Sequence, residues 1–226
     1  MRIVAVADTH LFHDDLAVPA GDVFIHAGDL CRAGDAAELL EGQRWLASLP
    51  HKTKILVAGN HDWLFATDPK LAREVLGPEV IYLEDSLVTV GGVCFWGSPW
   101  QPEYNDWAFN LPRGARLAEK WRMIPDEIDV LITHGPPHGI GDRSSVGGRA
   151  GCEALRSRVA EVRPRLHLFG HIHQDGGFWA DGVTAFANVT TWECERGATV
   201  LELDPASLRV TPVVVPVRTT DPWAGR

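Results

Sequence analysis

Residues 2–10 read Arg-Ile-Val-Ala-Val-Ala-Asp-Thr-His, an apolar run that ends in an aspartate and a histidine two positions apart. The run from Arg2 to Ala7 has the length and the aliphatic content of a core strand. Residues two apart in extended backbone leave the same face, so we expect Asp8 and His10 to lie together at the carboxyl end of this strand. Such a pair can share one metal ion.

Four more polar blocks follow along the chain, and most of them also come after an apolar run. They are Gly28-Asp29, Gly59-Asn60-His61-Asp62, His134-Gly135 and Gly170-His171-Ile172-His173. Each block alone is short enough to occur by chance, and an isolated Asp-x-His is more often a capped loop than a ligand pair. All five in this order supply oxygen and nitrogen ligands for two divalent cations.

The residue types in these blocks suit different places in a two-metal site. Asp29 is the predicted bridging ligand, because the two oxygens of a carboxylate have about four lone-pair sites. Asn60 offers a neutral amide oxygen and His134 an imidazole nitrogen. His171 and His173 repeat the two-apart spacing, so that one faces each ion or both complete the pair. This mixture favours Mn, Fe, Zn or Ni over Ca.

The chemistry that such a site predicts is phosphoester hydrolysis. Two cations about 3.5 to 4 Å apart can activate a bridging hydroxide and neutralise a phosphoryl group during in-line displacement. His61 follows Asn60 directly and should project differently, beside the scissile phosphate. There it can stabilise the transition state or protonate the leaving oxygen, with Asp62 or another carboxylate orienting its ring. A structural role for His61 is the alternative.

The pattern of apolar runs predicts an α/β fold. The runs at 23–27 and 54–58 flank a helical pattern at 36–49, which is a βαβ rhythm, and Gly91-Gly92 predicts an antiparallel hairpin. Further strands are predicted at residues 80–83, 126–133, 165–169, 183–187, 199–203 and 208–215, and helices at 113–123 and 151–162. This count suits two packed mixed sheets flanked by helices in a single domain, 1–215, with a C-terminal tail at 216–226.

The composition is that of an ordinary globular protein, with 226 residues, 45% of them hydrophobic and 23% charged. The longest apolar runs are of strand length, so no membrane span is expected, and the start of the chain lacks the pattern of a signal peptide. Four scattered cysteines without a C-x-x-C pair argue against a zinc knuckle or a disulfide scaffold and favour the cytoplasm. A net charge of −9 without a basic cluster argues against long nucleic acids, whereas a small phosphodiester remains compatible with it.

The ordered series resembles the calcineurin-like metallophosphoesterase superfamily, whose pattern is D-x-H, G-D, G-N-H-[DE], a later H and G-H-x-H. The resemblance extends over residues 3–173, and every block is present. Segments 96–102, 105–110, 134–137 and 151–155 are similar to the branch called metallophosphoesterase-domain-containing proteins. Some animal members of this branch replace a histidine of the last block and are weak catalysts. This chain keeps His171 and His173, which implies a competent site.

The resemblance implies a four-layer α/β/β/α sandwich and assigns the ligands to two metals. One metal would be held by Asp8, His10, Asp29 and His173, and the other by Asp29, Asn60, His134 and His171. His61 would be the catalytic histidine. The branch is associated with Mn-supported phosphodiesterase activity, including on cyclic nucleotides, so a small phosphodiester or nucleotide is the expected substrate.

Substrate contacts are predicted from residues near the blocks. Trp100 and Trp107 lie in a stretch rich in aromatic and polar residues, where a base could stack or hydrogen bond. Simple packing of the second sheet is an equal alternative for them. His138 and Arg143 lie in predicted loops and complete the candidate substrate-binding set.

Other functions fit the same ligand pattern. The metal ligands dictate attack on phosphorus but not what surrounds it, so a phosphomonoesterase, a protein phosphatase or a nuclease is the first alternative. A nucleotide-binding protein with a vestigial site is the second, and the intact His61, His171 and His173 argue against it.

Overall fold

The structure, a computed structural model, describes residues 1–216. Of the predicted tail at 216–226, only Pro216 lies within these residues, and the rest falls outside them. Within the described part, no helix is long and apolar enough to cross a membrane.

Fourteen strands make up the sheets of the described chain. They are β1 (Arg2–Val6), β2 (Val23–Ala27), β3 (Thr53–Val57), β4 (Ile81–Tyr82), β5 (Ser86–Val90), β6 (Val93–Ser98), β7 (Gln101–Pro102), β8 (Asn110–Leu111), β9 (Val130–Thr133), β10 (Leu166–Phe169), β11 (Gly177–Ala180), β12 (Ala185–Asn188), β13 (Thr199–Leu203) and β14 (Val210–Val214). The α-helices are α1 (Ala36–Ser48), α2 (Trp63–Thr67), α3 (Pro69–Leu76), α4 (Ala115–Trp121) and α5 (Glu153–Val162).

Two six-stranded mixed sheets form the centre of the fold. The first has the order β14-β13-β1-β2-β3-β4 and the second β11-β12-β10-β9-β6-β5, and β7 pairs with β8 separately. Strands β1 to β4 are parallel to one another, as are β6, β9, β10 and β12. The remaining strands, β5, β11, β13 and β14, pair antiparallel. The prediction of two mixed sheets is confirmed.

Strand alternation sorts the apolar residues into three cores, which separate four layers. In β1, Ile3 and Ala5 point into the core between the sheets, together with Val130 of β9. The intervening Val4 packs with Leu39 of α1 on the outer face of the first sheet. On the outer face of the second sheet, Leu131, Leu117 of α4 and Leu155 of α5 share the third core. The period of two thus places one helical layer outside each sheet, which is the predicted α/β/β/α sandwich.

Local signals explain most element boundaries. Gly91 and Gly92 have φ of +59° and +83° between β5 and β6, which is the backbone that a two-residue hairpin needs. Helix α1 begins where the Asp35 carboxylate accepts hydrogen bonds from the backbone N–H groups of Ala37 and Glu38, both at 2.9 Å. The sequence analysis missed α2, α3, β7, β8 and β11. These elements are short, and tertiary contacts stabilise them more than their own periodicity does.

Asp85 fixes the connection between the first sheet and the segment that follows β6. Its buried carboxylate accepts hydrogen bonds from Ser98 Oγ at 2.8 Å, Trp100 Nε1 at 3.0 Å and Lys120 Nζ at 2.7 Å. We expect Asp85→Ala to lower the free energy of unfolding by about 2 to 4 kcal/mol, because it leaves three donors without their acceptor. Urea unfolding followed by circular dichroism measures this loss.

The matched control is Asp126→Ala. Asp126 also accepts from a cation, Arg158, at 2.7 Å, but its own side chain is 82% exposed. Because the exposed Asp126 carboxylate stays hydrated, we expect its pair with Arg158 to contribute less than about 1 kcal/mol. Equal destabilisation by the two substitutions would contradict the role of Asp85.

Candidate metal centre and active site

Five parallel strands deliver the polar blocks to one edge of the sandwich. Strands β1, β2 and β3 are parallel neighbours in the first sheet, and β9 and β10 are parallel neighbours in the second. The carboxyl ends of parallel strands lie at the same edge of a sheet, where α/β folds bind ligands. Backbone contacts join the two edges, since Ala7 N–H donates to Val189 O at 3.0 Å and Thr191 N–H donates to Ala7 O at 2.8 Å.

The backbone turns sharply directly after several of these strands. Asp8, His10, Asp29 and His171 have φ of +57°, +43°, +57° and +66°. Non-glycine residues seldom adopt this left-handed conformation, which costs on the order of 1 kcal/mol each. Such strain persists where the surrounding structure imposes it, and its presence at four of the predicted ligands supports the prediction of a functional site at this edge.

The first group of candidate ligands consists of Asp8, His10 and His173, whose donor atoms lie within 4.8 Å of one another. His173 Nε2 is 3.6 Å from Asp8 Oδ1. The Asp8 carboxylate also accepts from the His171 backbone N–H at 3.1 Å. His10 Nδ1 donates to the carbonyl oxygen of Cys31 at 3.0 Å, which leaves Nε2 as the atom with a lone pair.

The second group consists of Asp29, His134 and His171, and it meets the same distance criterion. Asn60 lies among them. Its Oδ1 is 3.0 Å from His134 Nε2 and 2.8 Å from His171 Nδ1. His134 Nδ1 donates to Ala27 O at 3.0 Å, so its Nε2 is the nitrogen that faces the group.

Asp29 connects the two groups through one oxygen. Its Oδ2 lies 3.8 Å from His10 Nε2 and 3.4 Å from His134 Nε2. Its Oδ1 accepts a hydrogen bond from the His61 backbone N–H at 2.8 Å. The approach is so close that a Cβ at Gly59 would lie 2.2 Å from Oδ1, so no larger residue fits there. This is the arrangement that a bridging carboxylate requires.

The charges of the second group favour a bound cation. Burial disfavours the charged form of both Asp29 and His134, but their mutual attraction outweighs it, lowering the pKa of Asp29 and raising that of His134 to about 9. Burial and the neighbouring His134 lower the pKa of His171 to about 3. The neutral His171 ring and the Asn60 oxygen therefore offer lone pairs, and a cation can replace the proton of His134.

His61 lies beside both groups but has different partners. Its Nδ1 donates to the carbonyl oxygen of Arg32 at 2.5 Å, so Nε2 is left to face the site. Its ring stacks on Trp107 with the centroids 4.0 Å apart and 30° between the planes. The ring of His10 meets it edge-on at 4.7 Å. His61 also lies within 4.8 Å of donor atoms of His10 and Asp29.

The structure corrects the expectation that Asp62 orients the His61 ring. The Arg32 carbonyl and Trp107 hold that ring instead. The buried Asp62 carboxylate accepts from backbone N–H groups of Asp29 at 3.0 Å, Cys31 at 2.9 Å and Gly59 at 2.7 Å. Asp62 therefore ties the loops after β2 and β3 together and fixes the position of Asp29.

Of the four predicted substrate-binding residues, only Trp107 contacts a residue of the site, the His61 ring on which it stacks. Trp100 donates to Asp85, and Lys120 Nζ lies 4.3 Å from the centre of its ring, so it packs as the alternative interpretation predicted. The His138 backbone N–H donates to Cys152 O. Arg143 is exposed, and its backbone N–H donates to Asp175. Neither His138 nor Arg143 lines the two openings of the site among residues 1–216.

Two openings reach the candidate ligands. The His61 groove, about 360 Å³, is lined by His10, Phe12, Arg32, His61, His173 and Glu193. The Tyr104 cavity, about 490 Å³, is lined by residues that include Tyr104, Arg113, Val146, Arg149, His171 and His173. The sequence analysis missed Tyr104, Arg113 and Val146. Signals near them were the aromatic stretch that contains Trp100 and Trp107 and the predicted loop residue Arg143, but neither pointed to these particular side chains.

The four-layer fold and the two groups of aspartate, asparagine and histidine ligands define a protein of the metallophosphoesterase class. The family model for calcineurin-like phosphoesterases matches residues 1–175, and the chain belongs to this family.

Curated relatives and solved structures agree with this assignment. Human metallophosphoesterase domain-containing protein 1 is 43% identical over 215 residues, and the alignment covers 84% of this chain but only 65% of the human protein. The UPF0046 protein K07C11.7 of Caenorhabditis elegans is 37% identical, with 87% of this chain and 71% of that protein covered. One solved crystal structure shares the fold at 15% identity with a TM-score of 0.72, covering 95% of this chain and 98% of that chain. The prediction of the family and of its branch is confirmed.

Proposed function

We propose that this chain is a metal-dependent phosphoesterase that hydrolyses small phosphodiesters. The observation that supports the proposal most strongly is the convergence of both ligand groups on Asp29 Oδ2, with His10 Nε2 at 3.8 Å and His134 Nε2 at 3.4 Å. Buried carboxylates and imidazoles at this density occur where cations are bound.

Two divalent ions are the proposed cofactors. Asp8, His10 and His173 would hold one, Asn60, His134 and His171 the other, and Asp29 would contact both. The mixture of oxygen and imidazole ligands accepts Mn, Fe, Zn or Ni. The resemblance to the metallophosphoesterase branch is what favours Mn among them. Such ions lower the pKa of water and neutralise charge on a phosphoryl group.

His61 is the proposed catalytic residue of the chain itself. Because Nδ1 is committed to the Arg32 carbonyl, Nε2 is the atom that can hold a proton towards the leaving oxygen. Trp107 restricts the ring by stacking on it. Asp62 acts through Asp29 and the loop backbone, so it is a positioning residue and not a catalytic one.

A diester is the preferred substrate because the site opens in two directions. The His61 groove and the Tyr104 cavity both include His173, so each has room for one ester group of a phosphate at the centre. A monoester would use only one of them.

All four cysteines are free thiols, which supports the cytoplasm as the proposed location.

The test is to reconstitute metal-free protein with Mn²⁺ and to compare bis(p-nitrophenyl) phosphate, p-nitrophenyl phosphate and the 2′,3′- and 3′,5′-cyclic nucleotides. We expect Mn-dependent turnover with a higher kcat/KM for the diester than for the monoester. Absence of turnover with Mn, Fe, Zn and Ni would overturn the proposal. A strong preference for the monoester would overturn the choice of a diester and favour the phosphomonoesterase alternative.

A further inference from the structure

Two of the most exposed large apolar side chains of the described residues line the same cavity. Tyr104 is 61% exposed and Val146 is 88% exposed, and both lie in the wall of the Tyr104 cavity. Exposed apolar groups that gather at one concave site, with polar groups beside them, are typical of ligand recognition. The Tyr104 ring meets that of His171 edge-on, with the centroids 6.4 Å apart, so this wall borders the candidate metal centre.

A second wall of the cavity comes from a short hairpin at residues 143–149, of which residues between Ser144 and Arg149 line the cavity and Val146 forms the tip. A bridge between Arg143 and Arg149 and a hydrogen bond from Ser144 N–H to Gly148 O at 2.9 Å close the hairpin. Its base is held by buried Asp142, which accepts from Gly139 N–H at 2.9 Å and from Arg149 Nη1 at 2.5 Å. The exposed tip therefore stands on an anchored base.

The charges in the cavity argue against a second anion as its occupant. Arg149 is paired with Asp142, and Arg113 is paired with Glu153 at 2.7 Å. Arg113 also donates to Ala150 O, so both arginines hold protein groups. Glu103 also lines the cavity and adds a negative charge. The cavity therefore offers apolar contact to a ligand and does not attract a second anion.

We propose that the Tyr104 cavity binds a flat aromatic ester group of the substrate, which stacks on Tyr104 while its phosphate lies at the metal centre. This rests on the proposed function, because His171 and His173 line the cavity and belong to the candidate ligand groups. The group that the cavity would recognise is a neutral aromatic ring, and either an aryl group or a nucleobase can supply it. Tyr104 is thus a specificity-determining residue.

Three diesters with the same p-nitrophenolate leaving group test this: the methyl, the phenyl and the thymidine 5′ esters of p-nitrophenyl phosphate. Because His61 is the proposed acid, the aromatic leaving group would lie in the His61 groove, and the ester group that is retained would occupy the Tyr104 cavity. Stacking on an aromatic side chain corresponds to about 10-fold or more per ring. We expect Tyr104→Ala to lower kcat/KM about 10-fold for the phenyl or thymidine ester and less than about 2-fold for the methyl ester. Tyr104→Phe should keep the wild-type pattern. Leu87→Ala is the matched control, since Leu87 is 52% exposed on the edge strand β5.

A second readout needs no turnover. Calorimetry with the Mn-loaded protein compares phenyl phosphate and thymidine 5′-monophosphate with methyl phosphate. We expect Tyr104→Ala to weaken the aromatic ligands about 10-fold and to leave methyl phosphate unchanged. Aromatic selectivity in binding without any turnover would overturn the proposed function but support the cavity. If Tyr104→Ala weakened all three ligands equally, or weakened none of them, the proposed role of the cavity would be overturned. Turnover of the methyl ester would still support the phosphoesterase in that case. The stronger of the two aromatic arms identifies an aryl or a nucleoside group.

Discussion

Asp29→Asn is expected to abolish stoichiometric metal binding and phosphoesterase activity together. The asparagine can still accept a hydrogen bond from the His61 N–H, which now reaches Oδ1 at 2.8 Å. It cannot supply the negative charge that faces His10 and His134 from Oδ2. We expect the metal content to fall from about two ions per chain to one or none, and kcat/KM to fall by about 10³-fold or more, on the order of 4 kcal/mol. Elemental analysis after gel filtration and the diester assay measure the two effects.

Asp126→Asn serves as the control for this substitution because its side chain is 82% exposed. It should retain both ions and full activity. Circular dichroism of both variants separates loss of ligation from loss of the fold. A variant Asp29→Asn that keeps two ions and loses only rate would contradict the bridging role and leave Asp29 as a group that positions His61.

The sequence was informative where one strand determines one ligand. The aliphatic run before Asp8 and the run before Asp29 form β1 and β2, and the second boundary was predicted to the residue, Val23–Ala27. Parallel pairing then places both side chains at one edge. Because a strand and the residue that follows it are local features, the α/β class could be predicted from the apolar runs and the candidate ligands from the polar blocks that follow them. The order of the four layers came from the family resemblance.

The sequence was uninformative where a role depends on partners far along the chain. Asp62 contacts the backbone of residue 29, thirty-three positions away, and Arg32 supplies the acceptor for His61 from twenty-nine positions away. No sequence periodicity predicts such contacts. The sequence analysis therefore assigned Asp62 to the His61 ring, whereas Asp62 contacts loop backbone. The Tyr104 cavity has the same origin, since its lining residues come from several separate segments, around 102–104, 113, 136, 144–150 and 171–174, which only tertiary packing brings together.

His61→Ala is expected to leave the metal content unchanged and to slow hydrolysis most for esters with poor leaving groups. General acid catalysis contributes about 10²- to 10⁴-fold, and it matters most when the departing oxygen is basic. We therefore expect kcat to fall about 10²-fold or more for a phenolate or alkoxide and much less for p-nitrophenolate. The same preparations are assayed for bound Mn and for turnover of a series of diesters with graded leaving groups.

The variant His61→Asn distinguishes proton donation from a structural role. An asparagine amide can replace Nδ1 as the donor to the Arg32 carbonyl, now at 2.5 Å, but it cannot protonate a leaving oxygen. If His61 acts as the acid, Asn and Ala lose rate alike, and Trp107→Ala, which removes only the stacking partner, loses less. Recovery of activity by Asn would assign His61 to loop positioning. Loss of a metal ion from both His61 variants would instead make it a ligand, as its proximity to His10 and Asp29 permits.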